Sequence, residues 1–294
     1  MHPKVCSEIH RPWSRPNIRK VPVINQKSFR NKRPARAEEL SLVGRSRSIR
    51  AASKTLYRVA KTGLPVMIVG APGTGKDVAA RMLHRLSTGD DKGFVAIPAF
   101  SFHKVAVPSS PSGYMMRGGK GWFEDTDRGS LFLDGLDAMP LEAQTLLLGR
   151  LSADGRGRPS FGQGANRVRL ISAASSDLGP LIQLGLFRLD LFYRLNVVTI
   201  HLPCLRDRLD DIEDLVDHFF SLAAFEGLPR KKLAAGALER LRSYTWPGNV
   251  RELETIIRRL VALYPETLIS PELVEAELLQ QKTQAARVAR KSQK

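Results

Sequence analysis

Short apolar runs separate longer amphipathic segments along the first two thirds of the chain. Residues 65–69 and 131–133 are apolar and favour β-structure, and residues 167–173 have the pattern of another buried strand. The segment after the first run has helical spacing, with apolar residues at Val78, Met82, Leu83 and Leu86. We expect an α/β domain over residues 41–204, with a parallel sheet between layers of helices.

The last third of the chain has the pattern of a helical lid. Pro247, Gly248 and Asn249 mark a turn and a helix start. One face of the following helix carries Val250, Leu253, Ile256, Ile257 and Leu260. Arg251 lies in the first turn on a different face, free to point at a ligand. We expect a small lid over residues 205–279, with a nucleotide between it and the carboxyl ends of the strands.

Composition adds two basic ends to this picture. Residues 1–36 carry ten Lys and Arg against one acid, and residues 280–294 carry five against none. The two ends hold +14 of the net charge of +17, so the residues between them are nearly balanced. We expect a Pro-rich, disordered arm over residues 1–40 and a basic tail over residues 280–294. These ends would hold nucleic-acid phosphates without sequence preference, or they would be solvated tails that maintain solubility.

Several classes of protein are disfavoured by the sequence. No apolar run approaches the roughly 18 residues that a membrane helix requires, and the N-terminus lacks the apolar stretch of a secretory signal. Cys6 and Cys204 are the only cysteines, and they suggest two reduced thiols. The arginine-rich N-terminus has the composition of an organellar transit peptide, but its many prolines weaken that interpretation. We expect a cytoplasmic protein without membrane contact.

The strongest chemical signal follows the first predicted strand. The residues there match the phosphate-binding motif GxxxxGK, in the order Gly70, Ala71, Pro72, Gly73, Thr74, Gly75 and Lys76. Glycines at these positions let backbone N–H groups surround phosphate oxygens, and the helix N-terminus adds a positive dipole end. Lys76 would reach the β- and γ-phosphates. Asp77 stands where a Ser or Thr hydroxyl usually contacts magnesium, and its carboxylate would hold the metal directly or through a water.

Polar residues follow the second and third predicted strands. Asp134 ends the second strand, where P-loop ATPases hold their magnesium ion, and Gly135 comes next. Ser175 follows the third strand, where it would touch the γ-phosphate or the attacking water, or be an ordinary loop serine. Asp137 would act as a substitute base through a water, or it is a surface acid before a helix.

Two arginines, Arg188 and Arg194, lie among apolar residues in the segment 186–215. Apolar surroundings make arginines costly unless they are paired. The side chains would form local salt bridges with Asp190 or Asp207, or they would act as arginine fingers that reach the phosphate of a neighbouring subunit.

Four segments together resemble the central AAA+ domain of the bacterial enhancer-binding proteins, the sigma-54-dependent transcription activators. These segments are LPVMIVGAPGTGKD, GSLFLDGLDAMP, FRLDLFYRLNVVTIHLP and WPGNVREL, in the family's order and approximate spacing. The resemblance covers the chain from about Leu42 to about Leu278. It implies a AAA+ P-loop core of three layers with a small helical lid, ATP and Mg²⁺ as cofactors, and assembly into a homo-oligomeric ring.

The resemblance also implies roles for residues that bind the nucleotide. Lys76 would be the Walker A lysine, and Asp77 matches a position where this family usually has glutamate. Asp134 would be the Walker B acid that holds the metal. Val43 and Gly44 fall where the family's chain passes the adenine.

The resemblance is incomplete at the catalytic positions. Arg188 and Arg194 match the arginine-finger region, and Arg251 matches the sensor II arginine. Gly135, however, replaces the Walker B glutamate that activates the attacking water, and Ser175 stands in place of the sensor I asparagine.

The family's partner-binding features also differ. The GAFTGA loop that contacts sigma-54 is missing, and its region contains the sequence GYMMRGG at residues 113–119. We expect neither a receiver-sized domain before the core nor a helix-turn-helix after it. Standard action on sigma-54 RNA polymerase is therefore disfavoured.

Two functions are consistent with these observations. The first is a transcription regulator that binds ATP, hydrolyses it slowly or not at all, and acts by assembly, by nucleic-acid contact through the basic arms, or by co-assembly with an active relative. The second is a working AAA+ ATPase with a rerouted catalytic base that remodels a different protein partner. A nucleotide-free scaffold is a third interpretation, which the intact GAPGTGK disfavours.

Overall fold

The computed structural model of the chain describes residues 41–101, 129–152 and 168–291. The predicted arm at 1–40, the loop at 113–119 and the final residues 292–294 lie outside the described residues. None of the helices in the described part of the chain is both long and apolar enough to cross a bilayer.

A five-stranded parallel sheet forms the centre of the first part of the fold, as the sequence predicted. Its strands are β1 (Val66–Val69), β2 (Phe94–Pro98), β3 (Ser130–Asp134), β4 (Arg169–Ala174) and β5 (Val198–His201). They lie in the order β2-β3-β4-β1-β5. Asp134 at the end of β3 pairs with Ala173 of β4, and Val69 at the end of β1 pairs with Ala174. The chain segments that leave these three strands therefore meet at one edge of the sheet.

Helices cover both faces of this sheet. They are α1 (Arg47–Ala60), α2 (Lys76–Thr88), α3 (Leu141–Ser152), α4 (Gly179–Gln183) and α5 (Leu189–Leu195). Because successive side chains of a strand point to opposite faces, Phe132 of β3 packs with α1 and α2, whereas its neighbours Leu131 and Leu133 pack with α3 and α5. The result is the three-layer α/β core that we expected.

The lid that follows is helical and has its own core. Its helices are α6 (Ile212–Phe225), α7 (Ala237–Arg242), α8 (Asn249–Leu263) and α9 (Pro271–Lys291), with a two-residue parallel pair, β6 (Lys232–Leu233) and β7 (Leu268–Ile269). Trp246 is fully buried in this core and donates a hydrogen bond from Nε1 to the Leu241 carbonyl at 2.8 Å. The last helix continues past the predicted lid boundary at residue 279, because residues 280–291, predicted as a tail, extend it by about three turns.

Candidate functional site

The phosphate-binding loop lies between the end of β1 and the start of α2. Its turn depends on two left-handed residues, Gly73 (φ 79°) and Gly75 (φ 99°), a conformation that glycine adopts without steric cost. The Thr74 hydroxyl donates a hydrogen bond to the Ala71 carbonyl at 2.8 Å, which holds the loop closed. A loop of this shape directs backbone N–H groups inward, where they can surround an anion.

Lys76 begins α2 and folds back over this loop. Its Nζ donates hydrogen bonds to the carbonyl oxygens of Gly70 at 2.6 Å and Ala71 at 3.3 Å. Burial lowers the pKa of Lys76 from its ordinary value, and the carboxylates of Asp134 and Asp137 oppose that shift. Burial removes the water that would stabilise the charged ammonium. An anion bound beside it would therefore favour the charged form.

A cavity of about 370 Å³ collects most of the predicted phosphate-site residues. Those that line it are Pro72, Gly73, Gly75, Lys76, Asp77, Asp134, Ser175 and Arg251, together with Gly135. Two cationic residues and two carboxylates thus line one cavity. Within the described residues no cluster of three or more His, Cys, Asp or Glu is arranged to hold a metal. Magnesium at a phosphate site needs only one or two carboxylates, since substrate phosphates and waters complete its shell.

Strand β3 ends in an acid, and the next residue is a glycine, which has no side chain. Asp134 is exposed at the strand end, and Gly135 follows in a left-handed conformation with φ 79° and ψ 55°. The N–H of Gly135 donates to the Ala173 carbonyl at 3.0 Å, so the backbone turns sharply at this point. A Cβ at Gly135 would meet no atom within 4 Å. The cavity is therefore open where an activating carboxylate would stand.

Asp137 lies behind this turn and contacts the neighbouring strand end. Its Oδ1 accepts a hydrogen bond from the backbone N–H of Ser175 at 2.9 Å. Asp137 is half-buried and does not line the phosphate cavity, whereas Ser175 does. The geometry gives Asp137 a positioning contact to Ser175, which neither interpretation of the sequence had foreseen.

The lid contacts the phosphate-binding loop directly. Asn249 donates from Nδ2 to the Pro72 carbonyl at 2.9 Å, while its Oδ1 accepts the N–H of Leu205 at 2.8 Å. The N–H of Arg251 donates to the Gly73 carbonyl at 3.2 Å. A Cβ at Gly73 would lie 2.1 Å from the carbonyl oxygen of Gly248, so glycine is required for this approach. Arg251 is among the residues that line the phosphate cavity.

A second cavity of about 240 Å³ lies between the loop and the lid, and its lining is largely apolar. Val43, Thr74 and Gly75 contribute from the core, as expected for Val43. Its other walls come from residues that sequence reasoning missed, among them Val78, Arg208, Leu215, His218, Phe219, Leu222 and Glu254. An apolar space of this size beside a phosphate loop fits a purine ring.

Arg208 is the most informative of the missed residues. It is buried, its Nη2 donates to the Thr74 carbonyl at 3.2 Å, and its Nη1 lies 3.9 Å from Asp211. Its Nε has no hydrogen-bond partner, and burial lowers its pKa despite the nearby Asp211. Five residues of the segment LRDRLDDI are ionisable, but the sequence does not indicate that Arg208 and Asp211 among them are buried.

Gly44, which was predicted to lie near the adenine, packs against Asp211 of the lid. It does not line the apolar cavity, and its Cβ would lie 2.5 Å from the carboxylate of Asp211. Asp211 is fully buried and accepts hydrogen bonds from the N–H groups of Arg45 and Ser46, both at 2.7 Å. Gly44 therefore lets the segment before α1 pack closely on the lid.

The two predicted finger arginines lie outside both cavities. Arg188 precedes α5 and forms a bidentate pair with Asp190, with distances of 3.0 Å from Nε to Oδ1 and 2.7 Å from Nη2 to Oδ2. This is the local salt bridge that the sequence offered as the alternative. Arg194 is exposed on α5, and no ion pair or hydrogen bond joins its side chain to the described residues.

Comparison with known families and proteins agrees with this geometry. The family described as Sigma-54 interaction domain matches residues 42–201, and the AAA+ ATPase lid domain matches residues 206–291. The chain is 44% identical over 251 residues to the DNA-binding transcriptional regulator NtrC of Bradyrhizobium sp. (strain RP501 Parasponia), covering 82% of this chain and 52% of NtrC. It is 37% identical over 252 residues to the putative uric acid sigma-54-dependent transcriptional regulator UacR of Escherichia coli (strain K12), covering 81% and 41%.

Solved structures of NtrX from Brucella abortus have the same fold. The complex with ADP superposes with a TM-score of 0.67 at 31% identity, over 81% of this chain and 56% of NtrX. The complex with ATP superposes with a TM-score of 0.65 at 32% identity, over 80% and 56%. The chain spans about half the length of the NtrC relatives that it matches. With its core and its lid both matched, the chain belongs to the family of sigma-54-dependent transcriptional regulators.

Proposed function

We propose that this chain is a regulatory AAA+ unit that binds ATP with Mg²⁺ and hydrolyses it slowly or not at all. The observation that carries the proposal is the contrast within one cavity. Lys76, Asp77, Asp134 and Arg251 all face the space that a triphosphate requires, while Gly135 leaves the position of the activating carboxylate empty.

The residues present fit the two cofactors. Lys76, the loop N–H groups and Arg251 would hold the phosphates, and Asp77 and Asp134 would hold Mg²⁺, which neutralises phosphate charge when bound. The apolar cavity beside Val43 would take the base. The complexes of NtrX with ADP and ATP support this assignment by similarity, because the two chains share the fold at 31–32% identity.

The absence of a carboxylate at position 135 should slow turnover but leave nucleotide binding intact. Loss of a general base costs typically about 10²–10⁴-fold in rate, whereas the groups that bind phosphate are independent of it. Nucleotide affinity should therefore persist where fast hydrolysis does not. ATP would then serve as a ligand that stabilises one arrangement of core and lid.

Assembly into a homo-oligomeric ring, or with a related AAA+ protein, is the proposed consequence of nucleotide binding. The surface around α4 and α5 exposes large apolar side chains, Leu184, Leu186, Leu189, Tyr193 and Val197, which are 49–72% exposed. Exposed apolar groups this close together usually mark an interaction site. Arg188 and Arg194 lie within the same stretch and would approach the nucleotide of the adjacent subunit.

Binding and chemistry can be measured on one sample. Calorimetric titration of the full chain with ATP and Mg²⁺ should give saturable binding, and the same mixture, quenched after hours, should contain almost no ADP beyond a protein-free control. Lys76→Ala should lose the binding. Rapid formation of ADP by the parent chain would reject the proposal of a silent site, and absence of saturable binding would reject the nucleotide site itself.

An active ATPase with a rerouted base is the second candidate, and the contact of Asp137 favours it. The carboxylate of Asp137 accepts a hydrogen bond from the N–H of Ser175, which lines the phosphate cavity, so Asp137 would act on the attacking water through a second, bridging water. This candidate requires a different protein partner, with the segment 113–119 as the contact. That segment and the arm at 1–40, which would contact nucleic acid, lie outside the described residues.

A further inference from the structure

The exposed face of α1 carries a row of positive side chains. Arg47, Arg50, Lys54 and Arg58 lie on this helix, and Lys61 follows at its C-terminal cap. All five are exposed, and their spacing of three or four residues places them on one face of the helix. We call these five residues the basic row.

Much of the basic row is unfavourable for the helix that carries it, although Arg58 and Lys61 at the C-terminal end suit the helix dipole. Like charges three or four residues apart repel each other, and the helix dipole disfavours cations at an N-terminus, where Arg47 and Arg50 lie. The helix sequence RSIRAASKTLYRVA contains no acid. Within the described residues, none of the five side chains forms an ion pair or a hydrogen bond that would offset this repulsion. An anion from outside the described residues is the partner that the arrangement lacks.

The helix is held rigidly beneath this row. Ser46 caps its N-terminus, with Oγ accepting the N–H of Ile49 at 3.4 Å. At the other end, Arg169 reaches from β4 and donates to the carbonyls of Val59 at 2.8 Å and Ala60 at 2.9 Å. The cations are therefore displayed on a fixed scaffold.

We propose that the basic row binds the phosphate backbone of duplex nucleic acid. From Arg47 to Lys61 the helix rises about 21 Å at 1.5 Å per residue. One strand of a duplex presents a phosphate about every 3.4 Å of axis, so this length matches about six phosphates. Four of the five cations, with the exposed Tyr57 among them, line one open surface depression in which no acid is found among the described residues.

Other polyanionic surfaces fit the row less well. A membrane-bound amphipathic helix needs its apolar face free to enter the bilayer, whereas Ala52, Leu56 and Val59 are buried in the core that covers the sheet. A protein partner usually requires an apolar centre in its interface, and the row offers only Tyr57. Protein–nucleic-acid interfaces are much more positively charged, and the row matches that character.

Fluorescence anisotropy with a labelled 30-base-pair duplex of arbitrary sequence tests this assignment. The full chain should bind with a strong salt dependence between 50 and 200 mM KCl. The variant carrying Arg50→Gln, Lys54→Gln, Arg58→Gln and Lys61→Gln should have a salt slope lower by about 3 to 4, since each lost phosphate contact removes about 0.9. Between 50 and 200 mM KCl, the loss of affinity should therefore be about 100-fold smaller for this variant than for the parent chain.

Matched variants separate the row from general charge. One control removes four scattered, exposed lid cations by Arg206→Gln, Arg230→Gln, Lys232→Gln and Lys282→Gln. A second control removes four cations of the N-terminal arm, Arg30, Lys32, Arg33 and Arg36. Calorimetric titration with ATP should be the same for all variants and the parent, which shows that the fold and nucleotide site are intact.

The outcomes discriminate between the possible partners. The proposal is supported if the salt slope of duplex binding is lower for the row variant than for the lid control. Equal slopes for these two variants would overturn it, as would loss confined to the arm variant. A labelled polyglutamate probe provides the last comparison, because row-dependent binding of that probe, with duplex binding unchanged, would identify an acidic protein as the partner instead.

Discussion

Gly135 is the residue on which the chemistry of the site depends most. Its left-handed backbone suits glycine, and the space beside it is open. Gly135→Glu should raise the ATP turnover rate by about 10²-fold or more, because it restores a general base. The same change should cost about 1–2 kcal/mol of stability, since a Cβ is disfavoured in this conformation. Turnover is measured as released phosphate, and stability as the free energy of unfolding in urea.

Gly135→Gln is the matched control for that variant. It introduces the same backbone strain and a side chain of the same shape, but it has no carboxylate to accept a proton. Equal turnover by the Glu and Gln variants would show that the missing base is not what limits hydrolysis.

A substitution at Asp137 that changes a single side-chain atom distinguishes the two proposed functions. Asp137→Asn keeps an Oδ1 that can accept the N–H of Ser175, but it removes the negative charge. We expect turnover to stay at the low level of the parent chain, because Asp137 positions Ser175 and does not take a proton. A decrease of about 10²-fold from a measurable parent rate would instead identify Asp137 as the rerouted base.

At the scale of the elements, the hydrogen bonds between the phosphate loop and the lid are the main determinant of the site. Asn249 joins the loop to the lid and adopts φ 53°, a left-handed conformation that Asn and Asp tolerate. Asn249→Asp keeps the acceptor for Leu205 but places a carboxylate against the Pro72 carbonyl. We expect it to cost about 1–3 kcal/mol in stability and to weaken nucleotide binding, as measured by thermal unfolding with and without ATP.

Thr255→Ala provides a control within the same helix. Its hydroxyl is exposed and bonds only to the Arg251 carbonyl one turn earlier, away from the loop. Its nucleotide affinity should match that of the parent. If Asn249→Asp bound ATP as tightly as this control, contact between lid and loop would not govern the site.

Sequence patterns anticipated the elements better than their contacts. The apolar runs predicted β1, β3 and β4, and the periodicity at Val250, Leu253 and Ile256 predicted α8. Local patterns could do this because strand alternation and helical spacing are properties of neighbouring residues. The roles of Arg208 and Gly44 could not be read in the same way, since each depends on atoms more than a hundred residues away.

The candidate site shows the same division between local and distant information. The loop from Gly70 to Lys76 is one continuous motif, and the structure has the shape that the motif predicts. The apolar cavity is built from the core, α6 and α8, so only the docked lid brings Val43 and Phe219 together. The sequence likewise left Arg188 between two roles, and the structure pairs its side chain with Asp190.

At the scale of the whole molecule, the account predicts assembly through the apolar surface at α5. Leu189→Lys with Tyr193→Lys should raise the protein concentration needed for ATP-dependent oligomers by about 10-fold or more, because burying one such side chain contributes about 1.5–3 kcal/mol. Sedimentation velocity measures the shift. Phe225→Lys with Leu263→Lys, at exposed apolar positions of the lid, is the control, and an equal effect of both pairs would contradict a specific interface at α5.

The central claim is that this chain binds ATP without appreciable turnover. Steady-state ATP hydrolysis, measured at several protein concentrations with Lys76→Ala as the blank, tests it most directly. The account predicts a rate per subunit that stays close to the blank and does not rise with concentration, on samples shown to bind nucleotide. A rate above the blank that rises with concentration would contradict it and would identify an assembling ATPase that works without a carboxylate at position 135.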